Sequence, residues 1–131
     1  MRTVRWYCLG RDGGFRGWYD SQAAEIQGRI EFALELLSAL PDWKKSPFYE
    51  EMRGRCEGLG EIRVNAGNAH YRLLGCDGPG KQAFTILCWF RKETNADYGR
   101  ECPKARERKE GVLRDASRTE VWPFDEEATP S

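Results

Sequence analysis

Leu59-Gly-Glu-Ile-Arg-Val64 alternates in polarity, Asn65-Ala-Gly-Asn68 is turn material, and Ala69-His-Tyr-Arg-Leu-Leu74 alternates again. Two alternating runs around an Asn/Gly turn predict an antiparallel hairpin. Side chains on a strand project to opposite faces with period two. A loop of even length therefore puts Glu61, Arg63, His70 and Arg72 on one face, and Ile62, Val64, Tyr71 and Leu73 on the other. Two registers are open. One takes Asn65–Asn68 as the loop and sets Arg63 opposite His70 and Glu61 opposite Arg72. The other, assigned to a two-residue loop at Ala66-Gly67, sets Arg63 opposite Arg72.

Flanking segments extend the reading. Thr3 to Leu9 (TVRWYCL) is a first strand, bounded by the breaker run from Gly10 to Gly14. Ile26, Ile30, Leu34, Leu37 and Leu40 recur at steps of four and three, the stripe of a long helix. Asp20 or Ser21 is its expected N-cap, Phe15 and Trp18 extend or staple its entry, and Pro41 stops it. Pro47 to Met52 reads as a turn or two of helix. Ala83 to Phe90 (AFTILCWF) is apolar on both parities, so it should be a central strand covered on both sides. A charged helix is expected from Pro103 to Ala116. The order is β-α-(α)-β-β-β-α. It predicts an α+β domain with a small antiparallel-rich sheet, helices packed on one face, over residues 1–118, followed by a loose acidic tail over 119–131.

At 131 residues the chain suits one core. No apolar run is long enough to span a bilayer, and the opening Met-Arg-Thr-Val-Arg-Trp-Tyr lacks a signal-peptide pattern, so a cytoplasmic protein is expected. Five widely spaced cysteines without C-x-x-C, and a single histidine, do not form a zinc pattern. They predict reduced thiols and no metal or other cofactor. Formal net charge is zero, but unevenly spread: 21 basic and 17 acidic side chains up to residue 118 leave +4, and residues 119–131 carry −4.

The hairpin face with two guanidinium groups and an imidazole suits a phosphodiester. Arginine binds phosphate oxygens through paired N–H donors, and histidine moves protons near neutral pH. A solvated sheet face laced with cross-strand ion pairs accounts for the same residues. Phe90-Arg-Lys-Glu-Thr-Asn-Ala-Asp-Tyr98 leaves the apolar strand with two cations and ends on an aromatic. It is either a plain polar connection or a basic rim on which a base stacks.

Phe15-x-x-Trp18, the pair Gly58-Leu-Gly-Glu-Ile-Arg63-Val and His70-Tyr-Arg72-Leu-Leu, and Ile86-Leu-Cys-Trp-Phe90-Arg91-Lys92-Glu-Thr94 followed by Glu101-Cys-x-x-Ala105 occur in one order. This series resembles the RelE-like toxin superfamily, closest to its HigB and phage-derived branch, over about residues 3–115. The resemblance implies the toxin of a type II toxin–antitoxin system, a metal-independent, ribosome-dependent mRNA endonuclease that uses the substrate 2′-OH as nucleophile. It implies charge stabilisation by Arg72 and Lys92, phosphate positioning by Arg63, and stacking or proton transfer by Tyr98. His70 is an acid–base candidate on its chemistry alone. Arg53, Arg55 and Arg91 are further RNA-binding candidates. The implied partners are a cognate antitoxin, of the helix-turn-helix kind, and the ribosome with its mRNA; no membrane partner is expected. A non-catalytic domain, or a ParE-like protein-binding domain of the same fold, is the alternative. Pro103 falls inside the matched helix motif and fits only if the helix starts there.

Overall fold

The computed structural model describes residues 2–10 and 13–124. In chain order the elements are β1 (Thr3–Tyr7), α1 (Gly14–Asp20), α2 (Ala24–Ala39), β2 (Tyr49–Glu51), β3 (Gly60–Ala66), β4 (Ala69–Asp77), β5 (Ala83–Arg91), α3 (Asp97–Arg114) and β6 (Thr119–Val121). The strands form one sheet in the order β2-β3-β4-β5-β1-β6. Among the described residues only the β1–β5 pair is parallel. The α+β class and the antiparallel-rich sheet agree with expectation and are consistent with a RelE-like fold.

The hairpin closes on a two-residue turn, Gly67-Asn68, with Ala66 paired to Ala69. This is one position later than either expected loop, and it is what sets Arg63 opposite Arg72 and Asn65 opposite His70. A turn at Ala66-Gly67 would instead pair Arg63 with His70. Gly67 takes a positive φ there, which glycine adopts without cost. Face assignment survives because both registers keep parity.

Ile62, Val64, Tyr71 and Leu73 join Phe15, Ile30, Leu34 and Leu37 in one core beneath α1 and α2. Leu74, Cys76, Cys88 and Phe90 join Cys102, Ala105 and Val112 in a second core beneath α3. The helices thus divide between the two faces of the sheet, with α3 on the face opposite α1 and α2. Strand β5 serves both cores through a bulge: Leu74 faces Cys88 but Gly75 faces Ile86, leaving Leu87 as the extra residue. The bulge reverses the strand's parity. Phe84 and Ile86 therefore point to the first core, whereas Leu87, Cys88 and Phe90 point to the second.

Several expectations are overturned. The long helix is preceded by the separate α1, and Ser21 closes α1 rather than capping α2: its N–H donates to Gly17 O and Trp18 O. Ala23, which offers no side-chain cap, occupies the N-cap of α2. Pro47 to Met52 is not helical but contributes the edge strand β2, where Tyr49 pairs with Ile62 and packs on Trp43 at 4.4 Å. Helix α3 starts at Asp97, so Pro103 lies in its interior and withdraws one backbone donor there. Cys56 and Cys102 form a disulfide with Cα atoms 5.4 Å apart, so five reduced thiols is incorrect; Cys8, Cys76 and Cys88 are free. The expected tail begins too early: β6 pairs with β1, and Trp122 is buried against Phe15 and Tyr19. Residues 125–131 of that tail lie outside the described residues. No helix of the described residues is long and apolar enough to cross a membrane.

Candidate functional site

Alternation along β3 and β4 carries Glu61, Arg63, Asn65, His70 and Arg72 to the α3 side of the sheet. The adjoining strand β5 ends on that side at Phe90, which pairs with Arg72. The Phe90 ring meets Tyr98 of α3 edge-on at 5.7 Å. Tyr98 is placed by a local device. The Asp97 carboxylate accepts the backbone N–H of Glu93 at 2.7 Å and of Thr94 at 3.0 Å, folding the β5–α3 connection over its own helix start. These backbone bonds, and the Arg100 guanidinium, hold the Asp97 carboxyl below the usual carboxylate range.

Glu61 is the centre of the cluster, with 1 % of its surface exposed. It accepts the Tyr98 hydroxyl on Oε2 and Arg63 Nε on Oε1, the latter at 3.1 Å. Arg72 Nε lies 3.7 Å from Oε2, near enough for an ion pair but without a hydrogen bond. Arg63 also reaches the Glu50 carboxylate. Burial opposes the charge on Arg63, but Glu61 and Glu50 outweigh it and raise its pKa. Burial first, and the Glu61 carboxylate second, push the Tyr98 hydroxyl up to about 12, although Arg72 pulls the other way. Tyr98 is therefore protonated at neutral pH. It can donate a hydrogen bond or offer its ring, but it is no base there.

Arg72, 8 % exposed, donates Nη1 to the Tyr71 carbonyl at 2.9 Å and to Asn65 Oδ1 at 3.0 Å. The same Asn65 oxygen lies 2.9 Å from His70 Nδ1. Lys92 follows β5; its backbone N–H donates to the His70 carbonyl at 2.7 Å, and its ammonium lies over the Tyr98 ring at 5.4 Å. It has no carboxylate partner among the described residues, which makes it the least neutralised cation of the group.

Arg63, His70, Arg72, Lys92 and Tyr98 are thus brought together as the sequence suggested. Arg55 stands beside them: its Nη1 lies 3.0 Å from where a Cβ on Gly99 would sit, so the guanidinium packs closely against the start of α3. Arg53 is exposed at the N-cap of the 3-10 segment Gly54–Cys56. Arg91 does not join them. It pairs with Tyr71 across the sheet, shares the α1–α2 face, and forms an exposed ion pair with Glu93.

Two members went unassigned in the sequence reading: Glu61 as the hub and Asn65 as a link between Arg72 and His70. The period-two series 61, 63, 65 carries the signal, but Asn-Ala-Gly-Asn resembles turn material and so hides Asn65 in the expected loop. Among the described residues, no group of three or more His, Cys, Asp or Glu side chains is arranged to hold a metal ion.

The family model described as phage derived protein Gp49-like (DUF891) matches residues 17–110. No curated protein and no solved structure matches the chain.

Proposed function

The chain belongs to the Gp49-like phage-derived family, a family of RelE-like toxins whose membership implies an antitoxin partner, and on that footing we propose that it is a ribosome-dependent endonuclease that cuts messenger RNA. What supports this most is the convergence of Arg63, Arg72, Lys92 and Tyr98, from three elements and one connection, on one partly open face. The reaction needs the ribose 2′-OH aligned with its own 3′-phosphate and the growing charge on the phosphorus oxygens neutralised. Lys92, with no carboxylate partner among the described residues, and Arg72 supply that charge. Arg63 orients the phosphate, Tyr98 stacks on a base or donates through its hydroxyl, and Arg53 and Arg55 extend the contact along the strand. A helix-turn-helix antitoxin would hold the protein inactive in the cell.

A second reading, a protein-binding or non-catalytic domain of the same fold, draws on one observation: Glu61 and Glu50 already engage Arg63, and Glu61 stands beside Arg72. Single-turnover cleavage of programmed ribosomes at saturating protein separates the two. Lys92→Ala should slow cleavage about 10²–10³-fold, the loss typical of removing one charge-stabilising donor, while ribosome binding weakens far less. Arg72→Ala should do the same, with thermal melting run alongside because Arg72 is part of a buried network. A wild-type rate in a folded Lys92→Ala protein, or no cleavage by the unmodified chain, moves the assignment to the second reading.

A further inference from the structure

Arg72 is a hydrogen-bond donor at every accessible pH, since a guanidinium carries no acceptor. Its Nη1 lies 3.0 Å from the side-chain oxygen of Asn65. That contact fixes which way the amide faces, because the flipped amide would set an NH2 group against the guanidinium, donor against donor. The oxygen so fixed also lies 2.9 Å from His70 Nδ1, directly across the β3–β4 ladder. An amide oxygen can only accept, so Nδ1 carries the hydrogen. In the neutral imidazole the other nitrogen, Nε2, is then a bare acceptor. The series runs from a guanidinium that is 8 % exposed to an exposed imidazole, so a buried permanent donor sets the protonation pattern of a surface base.

We infer that Asn65 is a positioning residue that fixes neutral His70 as its Nδ1–H tautomer and leaves Nε2 as the base for the RNA 2′-hydroxyl. This rests on the endonuclease reading for the identity of the substrate, but the tautomer itself does not. In the reaction the 2′-hydroxyl proton passes to His70 Nε2 as the bond from O2′ to phosphorus forms. The bond from phosphorus to the 5′-oxygen breaks, and that oxygen takes a proton from water. Lys92, just past the end of β5, is tied to the same residue through its backbone N–H, which donates to the His70 carbonyl. An unconstrained histidine side chain favours the opposite tautomer, Nε2–H, so the effect of Asn65 is directly observable.

His70 is the sole histidine of the chain, so its ring nitrogens are observed without assignment by mutagenesis. Nitrogen-15 spectra of the free protein, recorded at alkaline pH where the imidazole is neutral, should show Nδ1 protonated and Nε2 bare. Asn65→Ala should revert to Nε2–H, and Asn65→Asp, which keeps an acceptor oxygen in place, should retain Nδ1–H. Nε2–H in the unmodified protein, or the same tautomer in Asn65→Ala, overturns the inference whatever the chain does to RNA. In single-turnover cleavage Asn65→Ala should lose at least about tenfold, part of the roughly 10²–10⁴-fold that a positioned acid–base group contributes, and Asn65→Asp should recover most of it. Equal rates in all three proteins would remove His70 as the base. Absence of cleavage by the unmodified protein, with the expected tautomer observed, would overturn the endonuclease reading and leave the role of Asn65 in setting the tautomer standing.

Discussion

Glu61 shows how far a single residue can be read from sequence. Its place on the cationic face follows from alternation alone, but the register that sets it directly opposite Arg72 is not the one formed: it pairs with Leu74, and Arg72 reaches it diagonally. Its burial was not legible, because it depends on Tyr98 arriving from α3 to cover it. The carboxylate now satisfies the Tyr98 hydroxyl and Arg63 Nε and stands beside Arg72 Nε. Removing one member of a buried, hydrogen-bonded charge group leaves the others without compensation, which costs about 3–5 kcal/mol. Glu61→Ala should therefore lower the melting temperature sharply, whereas Glu50→Ala, at the exposed end of the Arg63 pair, should change stability by less than about 1 kcal/mol. Thermal unfolding of the two variants checks this; equal melting temperatures would mean that Glu61 is no more central than an ordinary surface partner.

Long elements with a clear period were legible: the stripe of α2, the alternation of β3 and β4, and the doubly apolar β5 all stand close to where the sequence put them. The three-residue strands β2 and β6 were not, since so short a run has no period and forms only because a neighbouring strand offers its backbone. The start of α3 was missed for a related reason. Proline argued for a first-turn position, yet the burial of Glu101, Cys102, Ala105 and Val112 along one side draws the helix back to Asp97. That earlier start also places Cys102 on the inward face, where it meets Cys56 across 46 residues of chain. No cysteine count could have paired them. The bridge ties the segment carrying Arg53 and Arg55 to α3, and Arg106 and Lys109 reinforce it by donating to Glu57 O and Gly58 O. Cross-links of this span typically stabilise by about 2–4 kcal/mol, mainly by restricting the unfolded chain. The double variant Cys56→Ala/Cys102→Ala should melt lower than the oxidised protein and be insensitive to a dithiol reductant. The same reductant should bring the unmodified protein down to a similar temperature. A reductant-insensitive unmodified protein would mean that the bridge adds nothing.

At the scale of the whole molecule, neutrality hides a division of charge that the fold partly redraws. Glu120 and Trp122, read from sequence as tail, belong to the folded body, with β6 laid along β1 and Trp122 packed between Phe15 and Tyr19. The acidic side chains that follow the described residues are Asp125, Glu126 and Glu127. Two truncations separate folding from competition. Ending the chain after Arg118 removes β6 and Trp122, and deleting a buried tryptophan alone costs about 3–5 kcal/mol, so this protein should be destabilised or unfolded. Ending it after Phe124 leaves all described packing in place and changes the formal net charge from zero to +3. If the three carboxylates oppose RNA, the second truncation should keep the melting temperature and tighten ribosome or RNA binding. It should also steepen the fall of affinity with salt, because each additional phosphate contact releases condensed counterions. Binding isotherms at several salt concentrations supply both quantities. Unchanged affinity at low ionic strength, where such competition is strongest, would show that the segment leaves the cationic face alone.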